Sequence, residues 1–205
     1  MKKTLTNLVL SFSLALSSFS NISCKDPSYY LNSQSKNHKT KPKTALIIVD
    51  SQYGFLHDIN RYELESESDN QVEIIRFAKQ NNFPIYVLEL KNKGKTRKKI
   101  RKEISNYPYT KITKPHGSGF DKTNLDDLLK DQDIENVILM GVNASICVLQ
   151  TAKDASRKDY RVLTSSDIIQ DATYFAAKNE SLDQYQNLGK LFRTHEDLID
   201  YLKNK

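Results

Sequence analysis

Residues 44–50 read Thr-Ala-Leu-Ile-Ile-Val-Asp, a nearly unbroken apolar run that stops on an acid. A strand with one face in water alternates in polarity. A run without alternation needs cover on both faces, as inside a parallel sheet. Ile85–Leu90, Asn136–Gly141 and Tyr160–Thr164 read as further strands, with Tyr109–Thr113 and Leu191–Arg193 as weaker ones. Helical spacing recurs between them. It lies within Ser66–Asn82, where Val72, Ile75 and Lys79 fall beside Ile74 and Ala78, and again near Arg97–Ser105. Asn124–Lys130 reads as a helix capped by Thr123 or Asp121. Ser145–Arg157 places Val148, Ala152 and Ala155 on one face, and another helix falls within Ala172–Leu188. Thr194 with Asp197 forms a capping box for a last helix that runs to about Leu202. Strand and helix alternate throughout, which implies right-handed crossovers. The predicted fold is α/β: a doubly wound, mostly parallel six-stranded sheet with helices on both faces.

That domain occupies residues 44–205. Ahead of it, residues 1–23 read as a signal peptide, with Lys2 and Lys3 as a positive start and an apolar, Ser-rich stretch from Leu8 to Phe19. The stretch is too short to span a bilayer. Asn-Ile-Ser-Cys then ends at Cys24, which resembles a bacterial lipobox, except that Asn21 stands where that motif prefers Leu. The expectation is an exported lipoprotein, acylated on Cys24 and so held at an envelope membrane. A plain secreted or periplasmic protein, or an uncleaved hydrophobic anchor, are the alternatives. Residues 24–43, rich in Ser, Asn and Lys, lack an apolar period and read as a flexible tether.

The formal charge of +6 is local in origin. Eight basic residues and no acid lie between Lys91 and Lys102. Outside that stretch, the chain from Cys24 onward is net negative. A solvated helix face is the plain reading of the run. Contact with anionic lipid headgroups is a second, and nucleic acid is not an expected partner.

Two cysteines are present, Cys24 and Cys147. If Cys24 carries lipid, Cys147 has no partner within the chain; it is then an inert buried thiol or a reactive one. A Cys24–Cys147 disulfide is the other reading. Topology favours the reactive thiol. In the common strand order 3-2-1-4-5-6, strands one and four are neighbours, and ligands bind at their carboxyl ends. That edge receives Asp50 from strand one, Lys114 from strand three and Cys147 from the loop after strand four. With Ser145 as N-cap, Cys147 falls near the second residue of a helix, which should lower its pKa. Asp50 can then act as the base and Lys114 as the cation that also holds Asp50 ionised.

Residues 44–56, 112–129 and 137–167 together resemble isochorismatase-like cysteine hydrolases: the acid loop, the lysine segment, and a nucleophile segment of the form G-x-x-x-x-x-C-V followed by T-A-x-D-A. The resemblance spans about residues 44–202. It implies that Asp50, Lys114 and Cys147 form the catalytic triad and that a non-proline cis peptide joins Val142 to Asn143. It further implies that the backbone N–H groups of Asn143 and Cys147 make the oxyanion hole, and that the reaction is hydrolysis of a C–N bond in a small amide through a thioester. Gln52, Phe55, His116 and Phe120, with Tyr53, are candidates for the substrate pocket. Nicotinamidases of this family bind a metal through a D-x-H pair and another His. Here His57 is the only histidine between Asp50 and Lys114, and Asp58-Ile59-Asn60 does not repeat the pair. No metal and no cofactor are expected. Relatives form dimers or tetramers, so a homo-oligomer is compatible with the resemblance, although no interface is legible. A catalytically idle surface-binding module and a thiol redox protein are the competing functions. The folded region has no C-x-x-C motif to favour the second.

Overall fold

A computed structural model of the chain describes residues 43–56, 59–172 and 178–205. The expected leader, Cys24, nearly all of the tether and His57 lie outside the described residues. Among the described residues seven strands make one sheet: β1 (Thr44–Val49), β2 (Ile85–Leu90), β3 (Tyr109–Lys114), β4 (Asn136–Val142), β5 (Arg161–Ser165), β6 (Ile169–Gln170) and β7 (Gly189–Phe192). Their order is β3-β2-β1-β4-β5-β7, with β6 also on β4, and every pairing between these strands is parallel.

The helices are α1 (Tyr53–Leu56), α2 (Arg61–Gln80), α3 (Lys98–Ile104), α4 (Leu125–Lys130), α5 (Leu149–Arg157), α6 (Lys178–Leu188) and α7 (His195–Lys203), with a π-helical turn at Ala144–Val148 ahead of α5. All six residues of β1 and all seven of β4 are buried, as their unbroken apolar runs require. Thr194 caps α7 by accepting from the Asp197 N–H at 3.3 Å. Val148, Ala152 and Ala155 are buried together, the helical face read from their spacing.

Two departures from the expected architecture bear on the site. The sheet has a seventh strand, β6, where six were expected. β5 pairs with β4 only as far as Ile138–Leu163 and then keeps to β7. β6 takes its place against Gly141 and Val142, while the Thr164 hydroxyl donates to the Leu139 carbonyl across the gap. The helix expected to start at Ser145 instead begins with the π turn, whose N-cap is Asn143. The Asn143 carbonyl accepts from both Ile146 and Val148 N–H, which widens the first turn.

Candidate active site

Asp50 leaves β1 in a left-handed conformation (φ 48°) and is fully buried. Its Oδ2 lies 2.7 Å from the Lys114 ammonium, and its Oδ1 accepts from the Leu90 N–H at 3.0 Å. Lys114, at the end of β3, is also fully buried. Besides Asp50, its ammonium donates to the carbonyls of His116 (2.9 Å) and Gly117 (2.7 Å). All three ammonium N–H groups are thereby engaged. Cys147 sits in the π turn, 5% exposed, as a free thiol hydrogen-bonded to the Asp50 carboxylate. The Asn143 backbone N–H is directed at the same sulfur. The peptide bond between Val142 and Asn143 is cis. Strand order thus gathers a carboxylate, an ammonium and a thiol from positions 50, 114 and 147 into one contact set.

The electrostatics differ from the sequence expectation. Burial and the adjacent Asp50 charge push the Cys147 thiol up to about 12, against the opposing pull of Lys114. A lowered pKa was expected from a helix N-terminus; burial of the sulfur, with the carboxylate beside it, outweighs that. Burial likewise raises the Asp50 carboxyl above its ordinary 3.8, although Lys114 and its hydrogen bonds pull the other way. The sulfur therefore holds its proton at rest, against a carboxylate made more basic by its surroundings. That arrangement suits proton transfer during attack rather than a standing thiolate.

The turn that carries Cys147 is held from behind by residues that sequence reasoning missed. Asp171, just after β6, accepts the Ser145 N–H at 2.9 Å; its Oδ2 is buried without a hydrogen-bond partner among the described residues. The Ala172 N–H donates in return to the Asn143 side chain at 3.0 Å. The Tyr185 hydroxyl of α6 donates to the Ala144 carbonyl. The Thr151 hydroxyl donates to the Cys147 carbonyl at 2.7 Å and accepts from Gly119, linking the turn to the loop after Lys114. A two-residue strand carries no periodicity, so neither β6 nor Asp171 stood out in the sequence.

The candidate pocket residues divide. Phe55 is buried against Leu56, Ile59, Val142 and Ala172, an apolar wall beside the cis peptide. Gln52 does not face a pocket; its side chain is spent on Leu90 and on the Gly94 carbonyl. Tyr53 is about half exposed and its hydroxyl accepts from the Lys98 N–H at the start of α3. His116 turns its ring outward to Asp121 at 2.5 Å, and only its carbonyl reaches Lys114. Phe120 stacks on Tyr160, with ring centroids 5.9 Å apart, as part of the main core.

A second titratable cluster, Asp167, His195 and Glu196, has ligand atoms within 4.8 Å of one another. Both ring nitrogens of His195 are already held by carboxylates, Asp167 at 2.7 Å and Glu73 at 3.0 Å, so the group ties the start of α7 to α2. A cavity of about 560 Å³ opens at the opposite, amino-terminal edge of the sheet, lined by Phe83, Pro84 and Tyr201 among others, with no cysteine or histidine in its lining.

Residues 44–197 match the model of the isochorismatase domain family. A Bacillus subtilis protein described as the uncharacterized isochorismatase family protein YaaI is 28% identical over 151 residues, which is 63% of this chain and 82% of the relative. The nicotinamidase SaPncA from Staphylococcus aureus shares 24% identity with a TM-score of 0.66, covering 74% of this chain and 98% of that one. The MAR1 ribonuclease from Caenorhabditis elegans shares 25% identity with a TM-score of 0.68, covering 80% and 82%.

Proposed function

This chain belongs to the isochorismatase family, and on that premise we propose that it is a metal-independent cysteine amidohydrolase, exported and tethered to an envelope membrane through an acylated Cys24. The observation that carries the chemistry is a single carboxylate, Asp50, in contact with both the Lys114 ammonium and the Cys147 thiol. Asp50 takes the thiol proton as the sulfur attacks a planar amide carbonyl. The developing oxyanion is met by the N–H groups of Asn143 and Cys147, and Asp50 returns the proton to the departing amine. Water then attacks the thioester with Asp50 again as base. An oxyanion donor is commonly worth about 10²–10³ in rate, so the supports from Asp171 and Tyr185 matter to the chemistry. The missing D-x-H spacing supports chemistry without a metal, and the leader with its Cys24 supports export.

The test is ammonia release from a panel of small amides and ureides, wild type beside Cys147→Ala. The variant should lose turnover by about 10³-fold or more. Equal turnover by the two proteins, or no turnover of any amide by wild type, would remove the reading. Labelled palmitate should enter the wild-type chain in a bacterial host and be absent from Cys24→Ser. Equal labelling of both would remove the anchor.

A further inference from the structure

The connection leaving β2 carries the eight cations of residues 91–102. Strand order places that connection between the end of β3 and the end of β1, where Lys114 and Asp50 stand. Adjacent strands are only about 4.8 Å apart, so this ribbon flanks the triad on topology alone. Hydrogen bonds fix it there. Lys91 N–H donates to the Lys114 carbonyl, Gly54 N–H to Lys93, Tyr53 N–H to Lys95, and Arg97 N–H to Ser51. The Lys93 ammonium lies 5.2 Å from the centre of the Phe55 ring, which itself packs on Val142 and Ala172. Arg97 alone of the eight is buried, where it pairs with Glu67. Lys99 pairs with Asp69, and the other six have no carboxylate within 4.0 Å among the described residues.

A solvated helix face needs no such registration against the acid loop, and the rest of the folded region is net negative. We infer that the ribbon draws in an anionic substrate: a small amide or ureide that also bears a carboxylate or phosphate. The carbonyl goes to Cys147 and the anion toward Lys91, Lys95 and Lys98. The inference rests on the amidohydrolase reading above. A one-signed edge of this kind raises the local concentration of an oppositely charged ligand by roughly 10–10³-fold, and salt removes the gain.

Succinamate and succinamide share an amide and differ by one carboxylate. Their binding to Cys147→Ala, measured by calorimetry at about 20 mM and about 300 mM salt, separates charge from shape. Succinamate should bind at least about 10-fold tighter at low salt, with the advantage fading at high salt. Lys91→Glu, Lys95→Glu and Lys98→Glu combined should abolish the preference and leave succinamide unchanged. The ribbon's fold uses backbone atoms of these residues, and the first turn of α3 carries no acid, so Glu at 98 suits the helix start. Equal binding of the two compounds, or a preference that survives charge reversal, overturns the inference. So does loss of binding to phosphatidylglycerol vesicles on charge reversal with the succinamate preference intact, which would assign the ribbon to a lipid surface. Ammonia release without any preference for the anion leaves the amidohydrolase reading standing and this inference fallen. Charge-dependent binding without ammonia release removes the amidohydrolase reading and, with it, the anion's assignment as substrate.

Discussion

The thiol and the carboxylate of this site have to be treated as one unit. With the Cys147 thiol raised to about 12 by burial and by Asp50, the neutral thiol is the resting state. Removing the acid's charge should therefore separate two properties that are usually equated. Asp50→Asn takes away a negative neighbour and leaves the Lys114 ammonium, so thiolate forms more readily. Iodoacetamide should alkylate Cys147 faster in this variant than in wild type at neutral pH. Amide turnover should fall by roughly 10²–10⁴-fold, because no base remains to carry the proton. Faster alkylation together with undiminished turnover would remove Asp50 from the mechanism. The three positions were legible because Asp50 and Lys114 close strands and Cys147 opens a helix, and the pattern defines those boundaries. Their protonation was not, because it depends on how deeply the edge is covered.

At the scale of elements, β1 and β4 were plain in the sequence because strands covered on both faces need no alternation. The start of α2 was read five residues late: its first turns, Arg61 to Glu65, are mostly polar and show no apolar period. β6 escaped notice because its pairing is set by β5 swinging away, a tertiary event. The close approach of β1 and β4 makes its own prediction. Gly141 has φ +128°, and a methyl group there would sit 1.9 Å from the Val49 carbonyl oxygen. Gly141→Ala should cost at least about 3 kcal/mol, because both the backbone angle and the strand spacing must yield. In a chain of this size that is a fall of roughly 6–12 °C in Tm, measurable by calorimetry. An unchanged Tm would mean the two strands part easily at this point. Phe120 and Gln52 teach the complementary lesson: motif proximity placed them at the pocket, but packing on Tyr160 and the free backbone groups of β2 claimed them first.

Across the whole molecule, the buried ionisable groups bias stability toward mildly acid pH. Burial raises Glu67 to about 7 from an unfolded value of 4.5, against the opposing charges of Arg97 and Lys178. Its contribution is full below pH 4.5 and is lost as pH rises through 7. Burial opposes charge on His195 as well, but its hydrogen bonds to Asp167 and Glu73 win and raise its pKa above 6.5. That contribution is full below 6.5 and fades at higher pH. Asp126 has the opposite sign. Desolvation is outweighed by Lys130, Lys158 and Tyr160, which hold it at about 2, so its contribution is present above 3.8 and lost toward pH 2. Tm should therefore peak near pH 5 and decline toward pH 8, and Glu67→Gln should flatten the part of the decline between 4.5 and 7. A Tm that climbs steadily from pH 5 to pH 8 in scanning calorimetry would contradict this assignment.

The coordination of Lys114 limits what a visitor to the crevice can find there. One N–H faces the acid and two face loop carbonyls, so the ammonium has its valence already filled by the protein. It acts as a fixed point of potential and offers no hand to a guest. In the proposed mechanism an oxygen brought to the sulfur is therefore left to main-chain amides, which read shape and charge rather than side-chain chemistry.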